Sequence, residues 1–356
     1  MREIRAAVCR TFGAPLEIET LRLADPGPGE VQVEIEAVAI CHSDITYADG
    51  GWGGDLPAVY GHEAVGRICA VGPEVHDLAV GARVLVTLVR SCGACPACAG
   101  GREVQCATPM GMSPLRDASG TPVLAAMNCG AFAEAVTVRA SQLAPVPERI
   151  PVEAACILSC GVITGLGAAV NTARVRPGDW CVVIGAGGVG LNAIQGARLS
   201  GAGRILAVDL TEEKLASARA FGATDTVLAT DDVRGALLGM GRLADHVFVT
   251  VGSGPVIDGV LDLCAPHGAA YLVGLPKADT ISTFAPVNAA YYGQSLRGSN
   301  MGDVVLRRDI PWLLDLHAQG RLMLEELVSE TFPLDRINDA IAATRAGRGR
   351  RNVVVL

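Results

Sequence analysis

Residues 179–190 read DWCVVIGAGGVG. Asp179–Ile184 is a short run of Val and Ile, the pattern of a strand buried on both faces. Gly185, Gly187, Gly188 and Gly190 follow with only Ala186 and Val189 between them, and the next stretch, LNAIQGARLSG, is helix-compatible. In a chain with 43 glycines a lone G-x-G-x-x-G means little. Here a strand precedes it and a helix follows, which is the context that gives the motif its mechanism. The glycines allow a tight turn and a close approach of backbone to a pyrophosphate, and the helix N-terminus supplies aligned N–H donors. A second run, RILAVD, ends at Asp209. A carboxylate there accepts hydrogen bonds from an adenosine ribose and repels a 2′-phosphate, so the pattern predicts NAD rather than NADP.

Working outward, DTVLA, DHVFVTVG and AAYLVG alternate with helical patterns such as EEKLASARAFG and PVIDGVLDLCA. Short apolar strands alternating with helices predict an α/β fold, a doubly wound parallel sheet covered on both faces. Before residue 100 the rhythm differs. Glu30–Ala39, Ala64–Val71 and Arg83–Val89 are β-type runs separated by turn signals, which predicts a β-rich, partly barrel-like domain. After Gly298 the pattern predicts a helix over Ile310–Gln319 and a terminal strand in NVVVL.

Composition sets the outer limits. At 356 residues the chain exceeds one ordinary hydrophobic core, so two domains are expected. Apolar residues make up 50% and charged residues 19%, which argues against disorder. A net charge of −8 argues against a broad nucleic-acid surface. Ala154–Val170 is hydrophobic enough to suggest a membrane span, but its interior glycines and hydroxyl residues favour a buried helix or helix pair. The opening MREIRAAVCRTFGAP has no apolar core or cleavage site of a secretory signal, so the cytoplasm is the expected compartment. Twelve cysteines are then expected as thiols or metal ligands.

Four of those cysteines, 92, 95, 98 and 106, fall within CGACPACAGGREVQC. The cluster could be a disulfide staple, a redox device, a nucleic-acid-reading zinc finger or a closed metal site. Three other segments carry potential ligands: Cys41-His-Ser43-Asp, Gly61-His62-Glu63 and Ser159-Cys160-Gly. Each alone has an ordinary explanation, since buried thiols and structural histidines are common. Sequence spacing alone does not bring the three together.

These segments, in this order, resemble zinc-dependent alcohol dehydrogenases of the medium-chain dehydrogenase/reductase superfamily. The resemblance also takes in LSCGVITGLGAAVNTA, the glycine fingerprint with Asp209 and the terminal Arg351-Asn-Val-Val-Val-Leu, and so spans essentially the whole chain. It implies a GroES-like catalytic domain from 1–161 and 301–356 and a Rossmann coenzyme domain from 162–300. It implies two Zn²⁺ per chain. One is catalytic, held by Cys41, His62 and Cys160, the Cys₂His set established for alcohol dehydrogenases, with Glu63 beside it or as an alternate ligand. The other is structural, held by Cys92, Cys95, Cys98 and Cys106. Ser43 is expected to hydrogen-bond the alcohol, which reacts as a zinc-bound alkoxide. His42, Thr164, Gly185, Gly187, Gly188, Val189, Gly190, Asp209, Lys214, Val273 and Arg351 are the implied NAD contacts. The implied reaction is reversible oxidation of a small alcohol to an aldehyde or ketone, in a homodimer or homotetramer joined at coenzyme-sheet edges, where Ser282–Ser299 is apolar.

Departures from the pattern refine the expectation. Some relatives complete a proton relay with His five residues after the first zinc cysteine, a position occupied here by Thr46. His42 stands where some relatives have Arg, which weakens the hold on a pyrophosphate. The rival within the family is the thiol-adduct (S-hydroxymethyl) formaldehyde dehydrogenase. It anchors a carboxylate with an Arg at the position of Met110, and the only cation in Ala107–Gly130 is Arg116, so a less polar alcohol is expected. Trp52, Leu88, Met110 and Leu275 fall where relatives line the substrate pocket. Outside the family, a nucleic-acid zinc ribbon predicts basic surroundings, yet Ser91–Cys106 holds only Arg102 as a cation. A catalytically silent NAD sensor predicts loss of Cys41, His62 or Cys160, and all three are present. Cysteines 9, 69, 129, 156, 181 and 264 show no metal spacing and are expected to be buried.

Overall fold

The computed structural model describes residues 1–109 and 111–356, so Met110 lies outside the described residues. The chain forms two compact units, 1–160 with 305–356, and 161–304.

In the first unit, strands Arg2–Cys9, Glu17–Leu23, Leu115–Arg116, Pro122–Ala125 and Ala58–Val59 close a small barrel. Its apolar filling includes Ile4, Leu21, Leu23, Leu115 and Phe132. A larger sheet runs Leu143–Pro145, Arg83–Thr87, Glu63–Val71, Glu30–Ala39, Arg351–Val355 and Val328–Pro333, with Ala135–Arg139 also paired to Glu30–Ala39. Its register decides where the chemistry sits. Ala39 lies opposite Glu63, Glu63 opposite Thr87, and Val353 opposite Ala39. Four strands therefore meet here, and Cys41 and His62, just outside their strands, converge with Arg351, the first residue of Arg351–Val355. The Thr87 hydroxyl donates to the Ser159 carbonyl at 2.6 Å, which brings in Cys160.

The second unit is a six-stranded sheet ordered Asp225–Leu228, Arg204–Asp209, Trp180–Ile184, Ala244–Val249, Cys264–Leu272 and Ser295–Gly298. Every neighbouring pair is parallel. Numbered along the chain the order is 3-2-1-4-5-6, and the glycine turn follows the central first strand, where the winding direction reverses. This is the doubly wound sheet that the alternating pattern predicts.

Some elements differ from their sequence expectation. The apolar stretch near 154–170 is a helix at Val152–Ala155, a 3₁₀ turn at Cys156–Ser159 and a helix at Gly161–Gly167, separated by Cys160 at φ −146°, ψ −67°. The stretch is almost wholly buried, and among the described residues no single helix is long and apolar enough to cross a membrane. The run PVIDGVLDLCA splits into Gly254–Asp258 and a 3₁₀ turn, Val260–Leu263. Gly259 between them costs about 1 kcal/mol in a helix relative to Ala. Cys69 is only partly buried, because its sulfur faces the Arg2 guanidinium at 3.6 Å instead of apolar core.

Candidate active site and coenzyme site

Sulfur, nitrogen and oxygen atoms of Cys41, His62, Glu63 and Cys160 lie within 4.8 Å of one another, and all four residues are buried. Cys41 caps the helix His42–Ala48, while His62 and Glu63 lead into the next strand of the sheet. Asp44 ties these segments together. Its Oδ2 accepts the Cys41 N–H at 3.0 Å, and its Oδ1 accepts the Gly61 N–H at 2.9 Å and faces His62 Nδ1 at 3.1 Å. The imidazole is thereby fixed with Nε2 directed at the sulfurs, and Nε2 has no hydrogen-bond partner. Ser43 Oγ donates to Cys41 Sγ at 3.0 Å.

The electrostatics of this cluster are those of a cation site. Hydrogen bonding from Cys160, opposed by burial and aided by His62 and Arg351, holds the Cys41 thiol well below its ordinary value. Cys160 is pushed well up by the same hydrogen bond and by burial. Burial opposes protonation of His62, but the Asp44 carboxylate and the Cys41 sulfur together raise it. Burial pushes the Glu63 carboxyl up to about 7 against the pull of Arg351. The Arg351 guanidinium lies 3.5 Å from Glu63 Oε1, an ion pair without hydrogen-bond alignment, and both Glu63 oxygens lack hydrogen-bond donors. Buried polar atoms normally find partners. An unsatisfied imidazole nitrogen and carboxylate facing two sulfurs fit a soft-to-borderline divalent cation, for which Cys₂His plus an open position is a known zinc arrangement.

The cysteines at 92, 95, 98 and 106 form a second group within 4.8 Å, partly exposed and not disulfide-bonded. The sulfurs of Cys92 and Cys98 are 3.9 Å apart. A tetrahedral ion with zinc–sulfur bonds of ~2.3 Å would hold its sulfurs about 3.8 Å apart. The Thr108 hydroxyl, with the N–H groups of Cys95 and Ala94, draws the Cys92 thiol down to about 5.

In the second unit the glycines of the fingerprint have separate reasons. Gly185 sits at φ +96°, where a side chain is strained, and a Cβ on Gly190 would fall 1.7 Å from the Gly185 carbonyl oxygen. A Cβ on Gly187 would meet nothing within 4 Å, so that glycine leaves space that the protein itself does not use. Gly187 caps the helix Gly188–Leu199, which includes Val189, so the space lies at aligned N–H donors. Asp209 is brought beside this turn: its Oδ2 accepts the Ala186 N–H at 2.6 Å and its Oδ1 the Leu210 N–H at 2.7 Å. Lys214 Nζ is 3.7 Å from Asp209. Thr164 is buried in Gly161–Gly167 with its hydroxyl 3.5 Å from Met301 Sδ, and Val273 is buried just after the fifth strand. These residues fit a dinucleotide.

Other expected site residues have individual placements. His42 is exposed at the start of its helix. Arg351 is buried against Glu63. Trp52 is half-buried, edge-on to Tyr47 at 4.9 Å, and Leu88 is half-buried, whereas Leu275 is 65% exposed. The Met110 position lies outside the described residues.

Residues 27–148 match the alcohol dehydrogenase GroES-like domain, and residues 188–319 match the zinc-binding dehydrogenase family. A class-3 alcohol dehydrogenase of Cereibacter sphaeroides is 33% identical over 99% of both chains. An S-(hydroxymethyl)glutathione dehydrogenase of Escherichia coli is also 33% identical, over 98% of this chain and 99% of its own. The crystal structure of benzyl alcohol dehydrogenase from Acinetobacter calcoaceticus superposes with a TM-score of 0.93 at 30% identity, covering 100% of both chains. The chain belongs to the zinc-dependent alcohol dehydrogenase family of enzymes, with a GroES-like domain and a Rossmann-type domain.

Asp44 is the site residue that sequence reasoning left without a role, although it stands inside the quoted CHSD. A carboxylate three residues after a candidate ligand was its only signal. Asp44→Asn replaces one acceptor oxygen by a donor facing backbone N–H groups. It should lower stability by about 1–3 kcal/mol. Metal retention at the His62 cluster should weaken about 10- to 100-fold. Zinc-to-protein ratios after graded chelator treatment, with thermal midpoints, check this, and undiminished retention would rule out the orienting role.

Proposed function

We propose that the chain catalyses reversible, NAD-linked oxidation of an alcohol to an aldehyde or ketone, with two zinc ions per chain. The observation that carries this reading is the convergence of Cys41, His62, Glu63 and Cys160, with His62 Nε2 unsatisfied among them. Cys41, His62 and Cys160 hold the catalytic zinc, with Glu63 as neighbour or alternate ligand, and Cys92, Cys95, Cys98 and Cys106 hold the structural one. NAD binds with its pyrophosphate at Gly187 and its ribose at Asp209, assisted by His42, Thr164, Lys214, Val273 and Arg351.

When bound, zinc supplies a Lewis acid that eases loss of the alcohol proton and NAD supplies a two-electron acceptor. The residues of the chain do the rest. Ser43 Oγ accepts the alcohol proton after turning from Cys41 Sγ, its partner here. Asp44 holds His62 in the tautomer that leaves Nε2 for the metal. The proton does not continue through Thr46, whose hydroxyl donates to the His42 carbonyl at 3.0 Å within the helix. It leaves Ser43 for water or the coenzyme ribose. NAD held at Gly187 and Asp209 would take up the substrate's carbon-bound hydrogen with its electron pair.

The two family names stand at the same 33% identity, so identity does not separate a simple alcohol from a glutathione adduct. The less polar substrate is favoured because Arg116, the lone cation of 107–130, is held in a strand opposite Arg22. A panel of aliphatic and aromatic alcohols, with S-hydroxymethylglutathione, read by NADH absorbance, decides the point. The expected result is greater turnover of simple alcohols. A strong preference for the adduct transfers the assignment to the rival activity, and no turnover of either refutes both.

Cys98→Ala is expected to lose about one zinc per chain and to lower the thermal midpoint, because four thiolates saturate a tetrahedral ion and leave no position for substrate. Metal analysis of the folded variant tests this division of labour. A folded variant with two zincs and no hydride transfer would overturn it.

We further propose a homodimer or homotetramer, working in the cytoplasm, where the thiols stay reduced. Among the described residues the strand Ser295–Gly298 ends its sheet with one edge unpaired. Ile281, Val287, Tyr291 and Leu296 are exposed close to it in sequence, at 87, 72, 81 and 41%. Exposed apolar surface next to an open edge favours self-association. Val287→Glu should shift sedimentation toward smaller species, and an unchanged distribution would place the interface elsewhere.

A further inference from the structure

A cleft of about 290 Å³ in the unit formed by 1–160 and 305–356 belongs to neither the His62 cluster nor the coenzyme site. Its walls include Arg90, Arg139, Ser91, Ser141 and Thr108, with Cys92 at one side and, among the described residues, no carboxylate. The overall charge is −8, so two arginines on one cleft stand against the trend of the chain.

The hydrogen bonds leave most of the donors of this cleft uncommitted. Arg90 donates to the Thr108 carbonyl, and Arg139 donates through Nη1 to the Pro28 carbonyl at 2.9 Å. A guanidinium carries five N–H donors. Among the described residues neither arginine has a carboxylate within ion-pair distance. Glu30 lines the adjoining smaller cleft with both arginines, but its Oε2 is taken by the Gly27 N–H at 3.0 Å. Ser141 Oγ accepts the Ser91 N–H at 3.2 Å, which leaves its own proton to donate.

We propose that this cleft is a binding site for a tetrahedral oxyanion, as inorganic phosphate or the head of a phosphomonoester. Two guanidinium forks match the several acceptor oxygens of a phosphate better than the single face of a carboxylate. Ser141 adds a neutral donor, and the volume accommodates a short ester chain. The occupied site also braces the cysteine segment. Ser91 Oγ lies 3.4 Å from Cys98 Sγ, and Thr108 follows Cys106 by two residues, so an anion held by Arg90 and Ser141 restrains both flanks of the cluster.

Calorimetric titration of phosphate, and separately of glycerol phosphate, into the NADH-saturated enzyme at constant ionic strength tests the proposal. Saturation with NADH fills the other phosphate-binding position. One millimolar-range site per chain is expected, with affinity reduced about tenfold or more in Arg90→Gln and in Arg139→Gln, since each removes charge-assisted hydrogen bonds. Tighter binding of glycerol phosphate identifies an ester as the occupant, and tighter binding of phosphate the free ion. Turnover of alcohol should be unchanged in both variants. Circular dichroism establishes that they fold, and Arg139→Lys, which keeps the charge, should retain intermediate affinity. No binding to the wild-type enzyme, or equal binding to all variants, overturns the proposal without bearing on the alcohol dehydrogenase reading.

Discussion

The register between the central strands of the catalytic unit is the constraint on which the His62 cluster depends. Ala39 opposite Glu63, and Glu63 opposite Thr87, bring three chain segments to a single end of a sheet. A slip of one residue would turn Glu63 to the opposite face, because side chains alternate along a strand. Strand pairing alone would still leave Cys41 and His62 free to choose their rotamers. The Asp44 carboxylate ties both loops together and holds the His62 ring, and the Thr87 hydroxyl holds the segment bearing Cys160. The ligand geometry therefore comes from ordinary sheet pairing finished by two side chains.

That geometry concentrates ionisable groups in the interior. Asp44, Glu63 and Cys41 are buried together, with Arg351 and His62 among them. Placing a charge in a protein interior costs several kcal/mol unless it is paired and hydrogen-bonded. Within the cluster the Cys41 thiol is drawn down and Cys160 pushed up, the Asp44 carboxylate and the Cys41 sulfur raise His62 against burial, and burial pushes Glu63 up to about 7. A divalent ion would reverse each of these adjustments at once. The same buried groups would give a metal its affinity.

Much of this was legible in the sequence, to a degree that depends on how local each signal is. The doubly wound sheet follows from adjacent residues, and Trp180–Ile184, Arg204–Asp209 and Glu30–Ala39 form strands where their patterns predict them. The fingerprint glycines act within a single turn, so their separate steric roles could be anticipated. The convergence of Cys41, His62 and Cys160 could not be obtained from spacing, because it depends on pairing across the sheet, and only the family resemblance supplied it. Asp44 escaped notice for the same reason: its importance lies in two loops that are distant in sequence. The division of 254–263 into a helix and a 3₁₀ turn was hidden because the apolar spacing continues through Gly259.

The two thiol clusters differ in a way that follows from their settings. Cys92, Cys95, Cys98 and Cys106 sit in a glycine-rich segment with short helical turns, Pro96–Ala99 and Glu103–Gln105, and contain no fully buried side chain. Such a segment has little apolar area with which to offset its loss of conformational entropy. Cross-linking by a metal is a physical means of ordering it, as in other small metal-dependent folds. Cys41, His62 and Cys160 are instead held by a sheet and a buried apolar core. A metal there is free to exchange a ligand during reaction without disturbing the fold, which is the condition a catalytic site requires. In the proposed division of the two zincs, the segment with the most cysteines has the stronger need for its metal as structure, and the buried set is the one suited to chemistry.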